Sequence, residues 1–127
     1  MNPVVLDSSA VLALLQDEPG ADSVASQMGN AMISAVNIAE VMSKLSDEQF
    51  SDEQLSAILG DLNLDVIPFD LDQAMASGML RSKTRHKGLS LGDRACLALA
   101  MHKAALVLTT DRVWAELDVE VKIEVVR

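Results

Sequence analysis

The chain has 127 residues, half of them hydrophobic, and a formal net charge of −9. That length predicts a single domain over 1–127, able to bury about two-thirds of its unfolded surface, and the composition excludes a disordered chain. The acidic balance disfavours a general nucleic-acid binder, which carries a basic surface, yet leaves room for a cation site built from carboxylates.

The opening MNPVV lacks the basic region and long apolar run of a leader, which predicts a cytoplasmic protein. PVVLD reads as a first strand and a helix follows over 9–16, then a turn in DEPGAD and a short helix over 24–28. AMISA is a second strand, and Ile38, Val41, Met42 and Leu45 form the apolar stripe of a helix over 36–45. A further helix is expected over 52–62, and LDVIPF is a third strand. Leu71, Ala74, Met75, Gly78 and Met79 mark the next helix, which a basic loop, RSKTRHKG, ends. LSLGDRACLALAMHK is a helix, ALVLTT a strand, RVWAEL a helical turn and VEVKIEVV a final strand. Apolar strands alternating with helices predict an α/β fold, a three-layer α/β/α sandwich around a mainly parallel sheet. No segment has the apolar length of a membrane span. The single cysteine, Cys96, excludes an internal disulfide, fits a reducing compartment and reads as a small buried hydrophobe.

Ligands of such sheets gather at the carboxyl ends of the strands. Asp7 follows the first strand there and Asp111 the fourth, while Glu40 lies on the helix leaving the second, and Asp93 opens the helix after the basic stretch. Each acid also has a structural reading. Asp7, Asp93 and Asp111 can cap helices, and Glu40 can pair with Lys44 one turn on. Asp70 is expected to be only a cap, and Ser8 and Ser9 are expected to cap the first helix in place of Asp7. Four carboxylates on one rim repel one another until a divalent cation joins them. Oxygen donors suit Mg²⁺ or Mn²⁺, which promote phosphodiester hydrolysis, and two such ions would offset four of the nine net negative charges.

At this point the blocks VVLDSSAVLALLQDEPGA, ISAVNIAEV, LSLGDRACLALA and LVLTTDRVW resemble, in order and spacing, the four motifs of PIN-domain ribonucleases. The likeness is to VapC-type toxins of toxin–antitoxin pairs and runs from Val4 to the last strand. It implies that Asp7, Glu40, Asp93 and Asp111 are the metal-binding and catalytic acids, holding one or two Mg²⁺ or Mn²⁺ ions. It places Ser9, Ser34 and Thr110 along the site, and implies an RNA substrate, a cognate antitoxin that blocks the acidic groove, and a homodimer. Trp114 stands where a phenylalanine is commoner.

Arg81, Lys83, Arg85 and Lys87 are candidate contacts to an RNA backbone, as are Arg94 and Arg112 beside the last two acids. With two phenylalanines, one tryptophan and no tyrosine, recognition through backbone and shape is expected over base stacking. His86 reads as a solvated residue and His102 as a charge suited to its helix end. A PIN-fold scaffold that binds RNA or a partner without cutting is the alternative. A phosphotransfer domain fits less well, because Ser9 stands where a dehalogenase-like phosphatase needs a second aspartate.

Overall fold

The computed structural model describes residues 3–127; Met1 and Asn2, with the leader reading and the first positions of the expected domain, lie outside the described residues. Five strands form one sheet: β1 (Val4–Leu6), β2 (Ala31–Ser34), β3 (Asp65–Ile67), β4 (Leu106–Thr109) and β5 (Ile123–Val125). Their order is β3-β2-β1-β4-β5 and every pairing is parallel. The helices are α1 (Ser8–Leu15), α2 (Ala21–Ala25), α3 (Ala35–Asp47), α4 (Asp52–Leu62), α5 (Leu71–Met79), α6 (Arg81–Thr84) and α7 (Leu91–Lys103).

Side chains alternate across the sheet, so each strand feeds two cores. Val4, Leu6, Ile33 and Leu108 face a layer of α1, α3 and α4, whereas Val5 and Val107 face α7 and Trp114 on the other side. Each fully buried Val or Leu contributes about 1.5–3 kcal/mol, which makes the α/β/α sandwich a consequence of the strand pattern. Among the described residues no helix is long and apolar enough to cross a membrane.

Because β1 lies between β2 and β4, successive connections leave it in opposite directions. The carboxyl ends of β1 and β4 therefore flank the crevice where ligands collect in open α/β sheets.

Three local expectations change. The second helix covers Ala21–Ala25, and a 3-10 turn over Met28–Asn30 leads into β2. The basic stretch is not a loop but helix α6 and a 3-10 turn over Arg85–Lys87, closed by Gly88 at φ 69°. The last strand shrinks to Ile123–Val125, leaving Lys122 outside it. In α5, Leu71, Met75 and Met79 face outward at 75, 55 and 69 % exposure, while Gln73 and Ser77 are buried. The polar face turns inward because α7 presents Arg94, whose guanidinium donates to the Ser77 carbonyl (3.0 Å), and Gln73 reaches the Pro68 carbonyl (3.1 Å).

Candidate functional site

Asp7 leaves β1 and caps α1, its Oδ1 accepting from the Ala10 N–H (3.0 Å) and from Ser9 Oγ (2.6 Å). Its Oδ2 accepts from Thr109 Oγ1 at 2.8 Å. The expectation that Ser8 and Ser9 relieve Asp7 of capping is therefore corrected: the carboxylate is the cap, and Ser9 supports it. Burial of Asp7 pushes its pKa up to about 6. The bonds from Ser9, Ala10 and Thr109 oppose that rise, and the Asp93 charge adds to it.

Glu40 does not join Lys44. Its Oε1 accepts from Ser8 Oγ and from Asn37 Nδ2 (2.8 Å), and the same Asn37 amide donates to the Gly92 carbonyl at 3.0 Å. Asn37 is 1 % exposed and ties α1, α3 and the start of α7 together. Gly92 leaves room for the acid, since a Cβ there would overlap the Glu40 carboxylate.

Asp93 forms a capping box with Ser90: its Oδ2 accepts from the Ser90 N–H (2.9 Å) while its own N–H donates to Ser90 Oγ (3.2 Å). Burial raises its pKa first, the Ser90 bonds lower it, and the Glu40 and Asp111 charges raise it again. Asp111 caps the 3-10 turn Arg112–Glu116 through Oδ1 on the Val113 N–H (3.0 Å). The acids thus feel one another, Asp93 interacting with the other three, and burial first, then the Asp7, Asp93 and Glu40 charges, push the Cys96 thiol pKa up. No three of them converge closely enough to form a ready-made ion cage among the described residues. Glu40 Oε2, Asp93 Oδ1 and Asp111 Oδ2 nevertheless accept no protein hydrogen bond among the described residues.

Ser9 stands at the centre of the rim, also accepting from the Thr110 N–H at 3.0 Å. The hydroxyl on Asp7 belongs to Thr109, however; Thr110 faces a cavity beside Asp111 instead. Ser34 is fully buried and caps α3 through the Val36 N–H (3.2 Å), with no bond to the acids. Asp70 caps α5, as expected.

Among the basic candidates, Arg81, Lys83 and Arg85 are exposed, and Lys87 pairs with Glu116 at 3.1 Å. That pair links the basic segment to the turn opened by Asp111. Arg94, half-buried, donates from its guanidinium to the Ser77 carbonyl on α5, at a helix position turned about 100° from that of Asp93. Asn37, Thr109 and Gly92 were not singled out by sequence. The one available signal was Asn37, a polar residue three before Glu40, on the same helix face.

Thr109→Val should destabilise the protein by about 1–3 kcal/mol, since it strips a donor from the buried Asp7 carboxylate and an acceptor from the Asp111 N–H (3.1 Å). The loss should be larger at pH 8 than at pH 5, where Asp7 is increasingly protonated; urea midpoints at the two values measure it.

A PIN domain family model matches residues 4–120. In structure the chain resembles DNA-bound VapBC from Salmonella typhimurium, with TM-score 0.75, 18% identity and 98% of each chain covered. It also resembles VapBC-5 from Mycobacterium tuberculosis, a member of the VapBC family of toxin–antitoxin systems, with TM-score 0.63, 23% identity, and coverage of 100% of this chain and 99% of that one. VapC20 of the same organism, described as a sarcin-ricin loop cleaving toxin, matches with TM-score 0.70 and 16% identity over 94% of this chain and 98% of its own. At these identities the structural likeness is one of fold. A search of curated proteins found no sequence match.

Proposed function

This chain belongs to the PIN domain family, and on that premise we propose that it is a metal-dependent endoribonuclease, the toxin of a toxin–antitoxin pair. The observation that carries the reading is a buried carboxylate, Asp7, at the sheet's switch point, on the same rim as Asp93 and Asp111, whose charges act on one another. The donor set is oxygen only, which suits one or two Mg²⁺ or Mn²⁺ ions. Mg²⁺ keeps several waters and needs few direct carboxylates, so acids that do not converge on one point still fit it. Asp7, Glu40, Asp93 and Asp111 would hold the metal. Once bound, such an ion lowers the pKa of a coordinated water and offsets charge on the leaving oxygen.

The chain's own groups prepare this. Ser9 and Thr109 fix both oxygens of Asp7, Ser8 and Asn37 fix Glu40 Oε1, and Ser90 fixes Asp93 Oδ2. Without a cation, the buried Asp7 carboxyl takes up a proton well above the usual carboxylate range.

The sarcin-ricin loop cleavage ascribed to VapC20 supports an RNA substrate, and the VapBC complexes support a cognate antitoxin that blocks the acidic site. Exposed Arg81, Lys83, Arg85 and Arg112 are the free backbone contacts of this reading, with Lys87 available once its pair with Glu116 opens. The outward apolar stripe of Leu71, Met75 and Met79 supports a homodimer. The nuclease would act in the cytoplasm as one domain over 1–127.

Protein freed of antitoxin and incubated with total RNA and Mg²⁺ or Mn²⁺ should generate discrete new RNA ends, lost on chelation. Intact RNA under those conditions would overturn the assignment and leave the non-cutting scaffold.

A further inference from the structure

β4 and β5 leave the sheet side by side, with Thr109 paired to Val125. Two residues past that pair stand Asp111 on one strand and Arg127 on the other. Val126 is fixed between them: its N–H donates to the Thr109 carbonyl at 2.9 Å, and its carbonyl lies against Gly20, whose φ of 101° and close approach exclude a side chain. Arg127 is therefore anchored at its base. Together with Thr110, Asp111 and Arg112 it lines a cavity of about 420 Å³.

Neither the Arg112 nor the Arg127 side chain forms a hydrogen bond or ion pair with the protein among the described residues, although acids outnumber bases by 19 to 10. By contrast Lys87 is paired and Arg94 is packed on α5. Two uncommitted guanidinium groups facing one polar cavity, on the lip of the acidic rim, offer planar forks that match phosphate oxygens. The volume is more than tenfold the ~30 Å³ share of a liquid water, which leaves room for a phosphodiester group with its solvent.

We infer that Arg112 and Arg127 form a subsite for a backbone phosphate of single-stranded RNA, next to the phosphodiester at the acids. The inference rests on the nuclease reading for its ligand. Phosphates recur at regular spacing along a strand, so one placed at the acidic rim brings its neighbour to the adjoining cavity. This arrangement also explains how a chain of net charge −9 can hold a polyanion beside its carboxylates.

The test is binding of a labelled, mixed-sequence single-stranded RNA oligonucleotide in the presence of Ca²⁺, followed by anisotropy over a salt series. Arg112→Gln and Arg127→Gln should each weaken binding about 3- to 10-fold. The double variant should flatten the log K against log salt slope by ~0.7 for each phosphate it no longer holds. Lys103→Gln removes the same charge at the far end of α7 and should change the slope little. On an RNA that the wild type cuts, KM should rise in the arginine variants with kcat within about 2-fold. A double variant with the wild-type slope, or one matched by Lys103→Gln, overturns the subsite. So does a double variant that loses poly-glutamate binding while keeping RNA, since the pair would then serve a protein's carboxylates. Binding needs no cleavage, so failure of the wild type to cut RNA is a separate result.

Discussion

Asp7→Asn should lower RNA cleavage by about 10²–10³-fold or more while making the metal-free protein more stable at pH 8. The activity loss follows from removing the charge at the centre of the proposed metal site. The stability gain follows from the sign of the Asp7 shift. Its folded pKa, about 6, lies above its ordinary value of 3.8, so its contribution is fully present below about pH 4 and is lost as pH rises through 6. For a carboxyl only 4 % exposed, this amounts to roughly 2–3 kcal/mol between those limits. Asn stays neutral throughout and caps a helix about as well as Asp, so the Ala10 bond survives. Asp7→Ala should instead destabilise at every pH, because it removes the cap and orphans Thr109 and Ser9. Urea melts of the three proteins at pH 4.5 and 8 separate these outcomes. Adding Mg²⁺ should raise the melting temperature of the wild type and not of Asp7→Asn. Asp7→Asn protein as active as the wild type, or less stable than it at pH 8, would refute the account.

Gly92→Ala should cut activity about 10²-fold or more, to the level of Glu40→Gln, without removing any functional group. The added Cβ takes the space of the Glu40 carboxylate, which must swing away from Ser8 and Asn37. A displacement of about 1 Å in a positioned group is enough for a loss of that size. Helix propensity works the other way, since alanine is favoured over glycine in a helix by about 0.5–1 kcal/mol. At Gly60 in α4 and Gly78 in α5 an added methyl would meet nothing within 4 Å, so their alanine variants should show that gain with full activity. Cleavage assays and melts on all three variants decide whether Gly92 is kept for the acid. If Gly92→Ala behaves like the other two, the Glu40 clamp has no role in catalysis.

Asp7, Asp93 and Asp111 are each observed as caps, and capping leaves them on the same rim as the metal-holding role proposed for them. In the proposed site a cation would draw on oxygens the caps leave open, Oδ1 of Asp93 and Oδ2 of Asp111, whereas both Asp7 oxygens already accept a bond. At α5 the apolar spacing marked the helix but not the face it buries. The apolar stripe Leu71, Met75, Met79 meets the helical period but faces outward, because the opposing helix supplies Arg94 and favours a polar seam with Gln73 and Ser77.

By itself the sequence determined the alternation of strands and helices, the parallel sheet, and the placement of Asp7 and Asp111 just past strand ends. These depend on periodicity and adjacency, which act over a few residues and survive any tertiary arrangement. Only the tertiary structure decided that Thr109 and not Thr110 bonds Asp7, across 102 residues of chain. It also decided that Asn37 links Glu40 to Gly92, 55 residues away from Asn37, that Arg94 turns inward, and that Arg127 stands beside Asp111. Spacing fixes which face of an element a side chain leaves from. Its partner is set by which other faces pack there, and that choice belongs to the order of strands in the sheet.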